Sequence, residues 1–282
     1  MRVKYKKHVA PIVYHILVIV SGFIMVYPVL WMISGSFKNN AEILNGSLSL
    51  IPPNLRWNNY VTGWKGFGGI SFATFFKNSF FVTSIATMAT VFSSACIAYS
   101  FARLRYRGRK LWFSFMIMTL LLPGQVLLIP QYVLYHKLGM VPSVIPLLLP
   151  YFLGQAFFIF QMMQFMAGIP RELDEAAFVD GCSRYGIFTR IVFPLLKPAI
   201  ITTIIIQFYW RWDDFQGPLV YLSTPKSYTV SIALKLFADS SSTTDYGAMF
   251  AMSTLSLLPV FFIFLFFNKY LTEGISTSGL KG

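Results

Sequence analysis

Six long apolar windows recur along the chain, at about 10 to 34, 76 to 101, 111 to 135, 143 to 167, 199 to 222 and 246 to 268. A helix needs roughly 20 predominantly apolar residues to cross the hydrocarbon core of a bilayer. Each window meets that length, so the pattern predicts six transmembrane helices with both termini on the same side. The segments between them, near 35 to 75, 102 to 110, 136 to 142, 168 to 198 and 223 to 245, are rich in Lys, Arg, Gly, Pro or Ser and read as loops or interfacial stretches. The apolar run from Ile12 to Ile33 is longer than a usual signal core, and no A-x-A cleavage site follows it. The first span is therefore expected to stay in the mature protein.

Composition agrees with lipid as the solvent. The 282 residues are 56% hydrophobic and only 12% charged, where soluble domains carry about 25% charged residues. A formal net charge of +13 would suggest nucleic acid in a soluble protein, but its distribution gives it another meaning. Arg2, Lys4, Lys6, Lys7, Arg103, Arg105, Arg107, Arg109, Lys110, Arg171, Arg184, Arg190, Lys197, Lys269 and Lys281 fall on one side, 15 of the 23 basic residues. That side is expected to be cytoplasmic, and no nucleic-acid partner is implied. Cys96 and Cys182 have no CxxC spacing, so neither a disulfide scaffold nor a metal site is indicated. Pro28, Pro123, Pro130, Pro146, Pro150 and Pro259 lie within the windows, where membrane helices tolerate proline if neighbours or water satisfy the freed carbonyls.

The segment from Ile169 to Pro198 is too polar to be embedded and too patterned to be a plain connector. Pro170 suits a first helical position, and Glu172, Asp174 and Glu175 complement the positive end of a helix dipole. This first helix should run to about Val179, with Gly181 ending it in a left-handed backbone. A second short helix, roughly Ser183 to Val192, leads to Pro194 and Pro198 at the membrane. Leu173, Ala176, Ala177 and Phe178 give the first helix a small apolar side. Such a side fits a groove on another protein and equally the surface of a lipid bilayer.

Glu175-Ala176-Ala177, followed by Asp180-Gly181 and by Pro194 and Pro198, resembles the EAA loop of the permease subunits of binding-protein-dependent ABC importers. The resemblance covers essentially the whole chain and narrows to the carbohydrate branch, which holds the shorter permeases of the maltose and glycerol-3-phosphate importers. Ser36-Phe37-Lys38, Pro52-Pro53 and Asn59-Tyr60 match the first external loop, Ala98-Tyr99 to Arg103 the end of the second span, and Glu273-Gly274-Ile275 with Gly279-Leu280-Lys281-Gly282 the family tail. Cys182 stands where many relatives have alanine or serine, and Asp213, in Trp212-Asp213-Asp214-Phe215, where they often have asparagine.

The resemblance implies an all-α, polytopic type I importer permease in a bacterial cell membrane. Residues 1–75 would form the N-terminal segment, first span and first external loop, and residues 76–282 a five-helix core with the loop at 168–198 and a tail at 269–282. It implies a homologous second permease, two copies of a cytoplasmic ATPase and an extracytoplasmic sugar-binding protein as partners. Leu173, Glu175, Ala176, Ala177, Phe178, Asp180 and Gly181 would couple to the ATPase, and Gly279, Leu280, Lys281 and Gly282 would touch it. ATP and Mg would be bound by the partner subunits and no cofactor by this chain.

The aromatic and acidic cluster Tyr209, Trp210, Arg211, Trp212, Asp213 and Asp214 could stack against sugar rings and bond their hydroxyls. Aromatic side chains also gather at membrane interfaces for their own reasons, and Arg211 could simply pair with Asp213 or Asp214. Gln125, Gln131, Gln155, Gln161, Gln164 and Gln207 are expected to bond neighbouring helices. No GxxxxGK[ST] phosphate loop, HExxH or GxSxG motif occurs, so ATP hydrolysis belongs to separate subunits and no catalytic residue is expected. The predicted function is sugar import, with oligosaccharides preferred over a monosaccharide or glycerol phosphate because the external side is aromatic and not concentrated in Arg. An ATP-independent secondary transporter would call for paired acidic groups deep in the membrane, and only Asp213 and Asp214 are candidates.

Overall fold

The computed structural model describes residues 2–46, 49–238 and 245–279. Among them the chain forms fifteen α-helices: α1 (Arg2–Gly35), α2 (Asn40–Leu44), α3 (Asn58–Lys65), α4 (Phe72–Arg103), α5 (Arg109–Leu120), α6 (Gly124–Lys137), α7 (Ile145–Phe152), α8 (Ala156–Ala167), α9 (Glu172–Val179), α10 (Arg184–Ile187), α11 (Phe193–Leu195), α12 (Lys197–Trp212), α13 (Gln216–Tyr221), α14 (Val230–Ala238) and α15 (Tyr246–Gly279). A π-turn, Phe188–Val192, joins α10 to α11.

Four stretches are long and apolar enough to cross a membrane: Val13–Gly35, Phe72–Arg103, Ile145–Ala167 and Tyr246–Phe267. Two further pairs qualify when each is taken together, α5 with α6 across a 104° bend and Arg184–Leu195, which belongs to the 169–198 loop, with α12 across a 72° bend, so the described residues hold up to six spans. The chain is an all-α, polytopic membrane protein.

Three predicted windows are not single helices. The 111–135 window breaks before Pro123, whose backbone is extended (φ −62°, ψ 131°). Proline supplies no N–H and its ring crowds the preceding turn, so α5 stops at Leu120 and α6 restarts at Gly124. Pro130, Pro150 and Pro259 by contrast stay inside helices. The 143–167 window breaks at Gly154, whose φ of +86° favours glycine; a Cβ there would also lie 2.5 Å from Ile97 Cδ1, so that side chain would have to shift. The 199–222 window breaks at residues 213–215, between α12 and α13.

The chain divides into two compact units. One comprises Met1–Phe72 with Leu234–Leu257. Within it the buried Asn59 amide donates to the carbonyls of Ser36 (2.9 Å) and Lys38 (2.8 Å), and the Tyr60 and Ser36 hydroxyls lie 2.8 Å apart. These bonds tie the segment that follows α1 to the end of that helix. The Lys38 ammonium is itself buried, donating to the Ser49 carbonyl and lying 5.9 Å from the Trp31 ring.

The other unit comprises Ala73–Ala233 with Leu258–Gly282. Its larger core gathers Ala95, Ala98, Tyr99 and Phe101 of α4, Ile159, Met162 and Met166 of α8, Ala177 of α9, and Ile187, Val192, Leu196 and Ala199 further along. Small residues on α4 let the helices approach closely, as membrane packing requires. The buried Gln207 amide donates to Thr90 Oγ1 at 3.1 Å, so this glutamine joins two helices as expected.

Candidate functional site: the 169–198 loop and the 209–214 cluster

The loop forms the predicted pair of short helices. Three acids occupy the first turn of α9 and none of its side chains caps the end, so charge alone complements the dipole there. The helix begins at Glu172, two residues after Pro170. At its other end the Gly181 N–H donates to the Phe178 carbonyl (3.1 Å) and the Cys182 N–H to the Ala177 carbonyl (2.9 Å). These are the paired bonds of a Schellman stop, and they require the left-handed backbone found at Gly181, φ +80°. A Cβ on Gly181 would meet nothing within 4 Å. Backbone conformation, and not space, therefore calls for glycine. Ser183 then caps α10, its hydroxyl accepting from the Gly186 N–H at 3.1 Å.

One side of α9 is fixed to the spans. Asp174 Oδ2 lies 3.2 Å from Nε of Arg103, the last residue of α4, and both side chains are largely buried (18% and 5% exposed). The same guanidinium donates through Nη2 to the carbonyls of Met166 (3.2 Å), in the last turn of α8, and Ile169 (2.8 Å), just beyond it. Arg171 Nη2 donates to the Ala102 carbonyl at 3.2 Å, and the Tyr99 hydroxyl donates to the Arg184 carbonyl at 3.2 Å. Ala177, buried in the larger core, completes the seat.

The opposite side is left open. Leu173, Glu175, Ala176, Phe178, Val179 and Asp180 are exposed, Phe178 by 63% and Val179 by 86%, and Tyr185 on α10 stands out beside them. The predicted apolar side of Leu173, Ala176, Ala177 and Phe178 thus divides: Ala177 turns inward, and Val179 joins the outward face. Arg103, Val179 and Tyr185 are additions that sequence reasoning did not place in the site. In the sequence Arg103 and Asp174 each have a local explanation, one as a charge at the end of a span and the other as a helix-dipole partner.

In the 209–214 cluster most of the chemistry is used internally. Arg211 Nη1 lies 3.0 Å from Asp214 Oδ2 and also donates to the Tyr151 hydroxyl, with the guanidinium 4.9 Å from the Tyr151 ring centre. Asp214 Oδ1 accepts from the Gly217 N–H (3.1 Å), which starts α13, and the Asp214 carbonyl accepts from the Ser231 hydroxyl (2.7 Å). Trp212 is buried, with the rings of Phe80 and Phe208 at 4.8 and 5.7 Å. Tyr209, Trp210 and Asp213 are exposed, Trp210 with Phe157 and Phe158 each at 5.5 Å. Of the tail, Gly279 is the last residue of α15, while Leu280, Lys281 and Gly282 lie outside the described residues.

The model of the family described as "Binding-protein-dependent transport system inner membrane component" matches residues 94–277, from the second half of α4 almost to the end of α15. The chain belongs to this family. Among curated relatives of this permease are the probable ABC transporter permease protein YurM of Bacillus subtilis (34% identical, covering 91% of this chain and 84% of the relative) and the arabinooligosaccharides transport system permease protein AraQ of the same organism (32%, covering 93% and 92%). The trehalose/maltose transport system permease protein MalG of Thermococcus litoralis is 29% identical, covering 94% of each chain. The permease also shares its fold with a chain in the crystal structure of a bacterial ABC transporter that imports the acidic polysaccharide alginate, with a TM-score of 0.83 at 22% identity over 94% of this chain and 97% of that one. It is a multi-pass membrane permease subunit.

Proposed function

We propose that this chain is one of two homologous permeases in an ATP-driven importer of oligosaccharides, and that α9 docks into a cytoplasmic ATPase present in two copies. An extracytoplasmic binding protein delivers the sugar, and ATP with Mg is held by the ATPase. The sugar class is supported by the relatives, whose printed names include arabinooligosaccharides, diacetylchitobiose and trehalose/maltose transport. A second solved neighbour, with a TM-score of 0.67, is an alginate ABC transporter in complex with a periplasmic protein carrying an alginate pentasaccharide, which supports the binding-protein partner.

The observation that carries the proposal is the two-sidedness of α9. A helix held by a buried ion pair and a buried alanine, yet presenting Leu173, Ala176, Phe178 and Val179 to the outside, is fixed at its back and vacant at its front. Glu175 and Asp180 flank that face and supply polar contacts at its rim. Pressure on the face reaches α4 and the end of α8 through Arg103, which gives ATPase closure a path into the spans. The orientation follows the basic residues, with the 169–198 loop and both termini in the cytoplasm.

The test is cross-linking in the reconstituted importer. A cysteine introduced by Ala176→Cys is expected to cross-link to the ATPase, and the cysteine of Tyr185→Cys to react with an impermeant maleimide in inside-out vesicles stripped of the ATPase but not in intact cells. Reaction from outside in intact cells would reverse the orientation. Absence of any Ala176→Cys cross-link in a complex that imports sugar would remove α9 from the coupling path.

A further inference from the structure

A cavity of about 840 Å³ lies where α4 ends and α5 begins. Arg105, Arg109 and Lys110 line it together with Phe101, Phe113 and Met163, and no carboxylate does. None of these three basic side chains has an acidic partner among the described residues, where the ion pairs are Arg103–Asp174 and Arg211–Asp214. The start of α5 is electrostatically unusual. Gly108 caps it without a side-chain hydrogen bond, its first turn has no acid, and Arg109 and Lys110 put two positive charges where the helix dipole is already positive. The leading N–H groups of a helix have no partner within it. The Arg109 N–H donates to the Tyr106 carbonyl (3.4 Å), so an anion brought to this point would answer the N–H groups that follow it and the unpaired cations.

We propose that the cavity binds the phosphate headgroup of an anionic phospholipid, with an acyl chain lying on Phe101, Phe113 and Met163. The proposal rests on reading α4 and α5 as membrane-embedded. A basic pocket between membrane helices on the cytoplasmic side is suited to such headgroups. The lining sets three cationic side chains beside a larger aromatic and aliphatic share, which matches an amphiphile; a free phosphate would leave the apolar share wet. Trp112, exposed on the next turn of α5, has the amphipathic ring that settles at headgroup level.

The experiment uses the whole importer, delipidated in detergent and titrated with phosphatidylglycerol or phosphatidylcholine, with retained lipid counted by native mass spectrometry. The wild type is expected to retain phosphatidylglycerol in preference to phosphatidylcholine. In the combined variant R105Q/R109Q/K110Q that preference should fall about tenfold or more, while R105K/R109K, which keeps the charge, should retain it. Equal preference in the Gln variant would overturn the proposal. So would displacement of the lipid by millimolar inorganic phosphate, which would mean an anion site without lipid selectivity, or retention only after the ATPase is removed, which would assign the surface to that subunit. A chain recovered in buffer without detergent would refute the membrane reading itself, an outcome separate from lipid preference.

Discussion

The 169–198 loop and the 209–214 cluster share an unusual density of functional residue types, yet they dispose of them in opposite ways. The loop turns one acid inward and leaves part of its apolar side outward: Asp174 is spent on Arg103, while Phe178 and Val179 stand in the open. The cluster buries Trp212 and commits Arg211 and Asp214 to each other, to Tyr151 and to the start of α13. Exposed apolar side chains on a tightly held helix have no role within the chain, whereas a buried tryptophan beside a bonded ion pair already has one. The loop is therefore the stronger candidate for contact with another molecule. In the cluster only Tyr209, Trp210 and Asp213 remain available to a solute.

Substitutions can break this contrast. The largest effect is expected from Trp212→Ala, because removing a large buried aromatic typically costs about 3–5 kcal/mol. Thermal unfolding in detergent should fall markedly, whereas Tyr209→Ala, at an exposed position on the same turn, should leave it nearly unchanged. Similar stability losses for both would show that the cluster is not divided into buried and free halves.

Next in size is Asp174→Ala. It leaves the Arg103 guanidinium, 5% exposed, without its carboxylate, and stranding a buried charge costs about 3–5 kcal/mol. The two carbonyls that Arg103 still holds should bring the loss to the lower end of that range. Sugar uptake should drop severalfold more than membrane insertion does. Unchanged uptake would mean that the ion pair does not seat α9.

Gly181→Val should follow. A β-branched residue at φ +80° is strained, at a cost of about 1–3 kcal/mol, and because no atom lies near a Cβ there, Gly181→Asn, whose side chain tolerates this backbone, should behave almost like the wild type. Binding-protein-stimulated ATP hydrolysis measured beside uptake would reveal uncoupling in the Val variant alone. Equal defects in Asn and Val would point to a need for glycine other than its backbone.

The smallest effect on stability, and the sharpest on function, is expected from Phe178→Ala with Val179→Ala. Exposed positions contribute within about 0.5 kcal/mol to folding, so the melting temperature should hold while ATPase recruitment to the permease weakens. A variant that recruits the ATPase normally would leave the outward face without a partner.

Much of this architecture was legible from the sequence because lipid imposes length and composition directly: an apolar window of about 20 residues has few other uses. The helix-turn-helix of the loop was legible too, since Gly181 and Ser183 act within a turn of where they sit. What escaped were relations between distant residues. Nothing local links Arg103 to Asp174, whose meeting depends on how α4, α8 and α9 pack. Ala176 and Ala177 are alike in the sequence, and only packing decides that the second turns inward. Pro123 breaks its window while Pro130, a turn and a half into α6, is absorbed, a difference set by the neighbours of each proline and not by its identity.

The bend at Pro123 carries a consequence for hydration. The Leu121 and Leu122 N–H groups still donate to the Met118 and Thr119 carbonyls (3.1 and 3.4 Å), but at Pro123 the chain leaves helical geometry, and Leu121 and Leu122 are exposed. Acyl chains offer nothing to a peptide group that has lost its helical partner, and non-helical backbone at membrane depth persists only beside protein or a water-filled space. Even with leucines on its surface, this stretch therefore cannot be solvated by lipid alone, and the least greasy neighbour in the membrane is to be looked for where the sequence is among its greasiest.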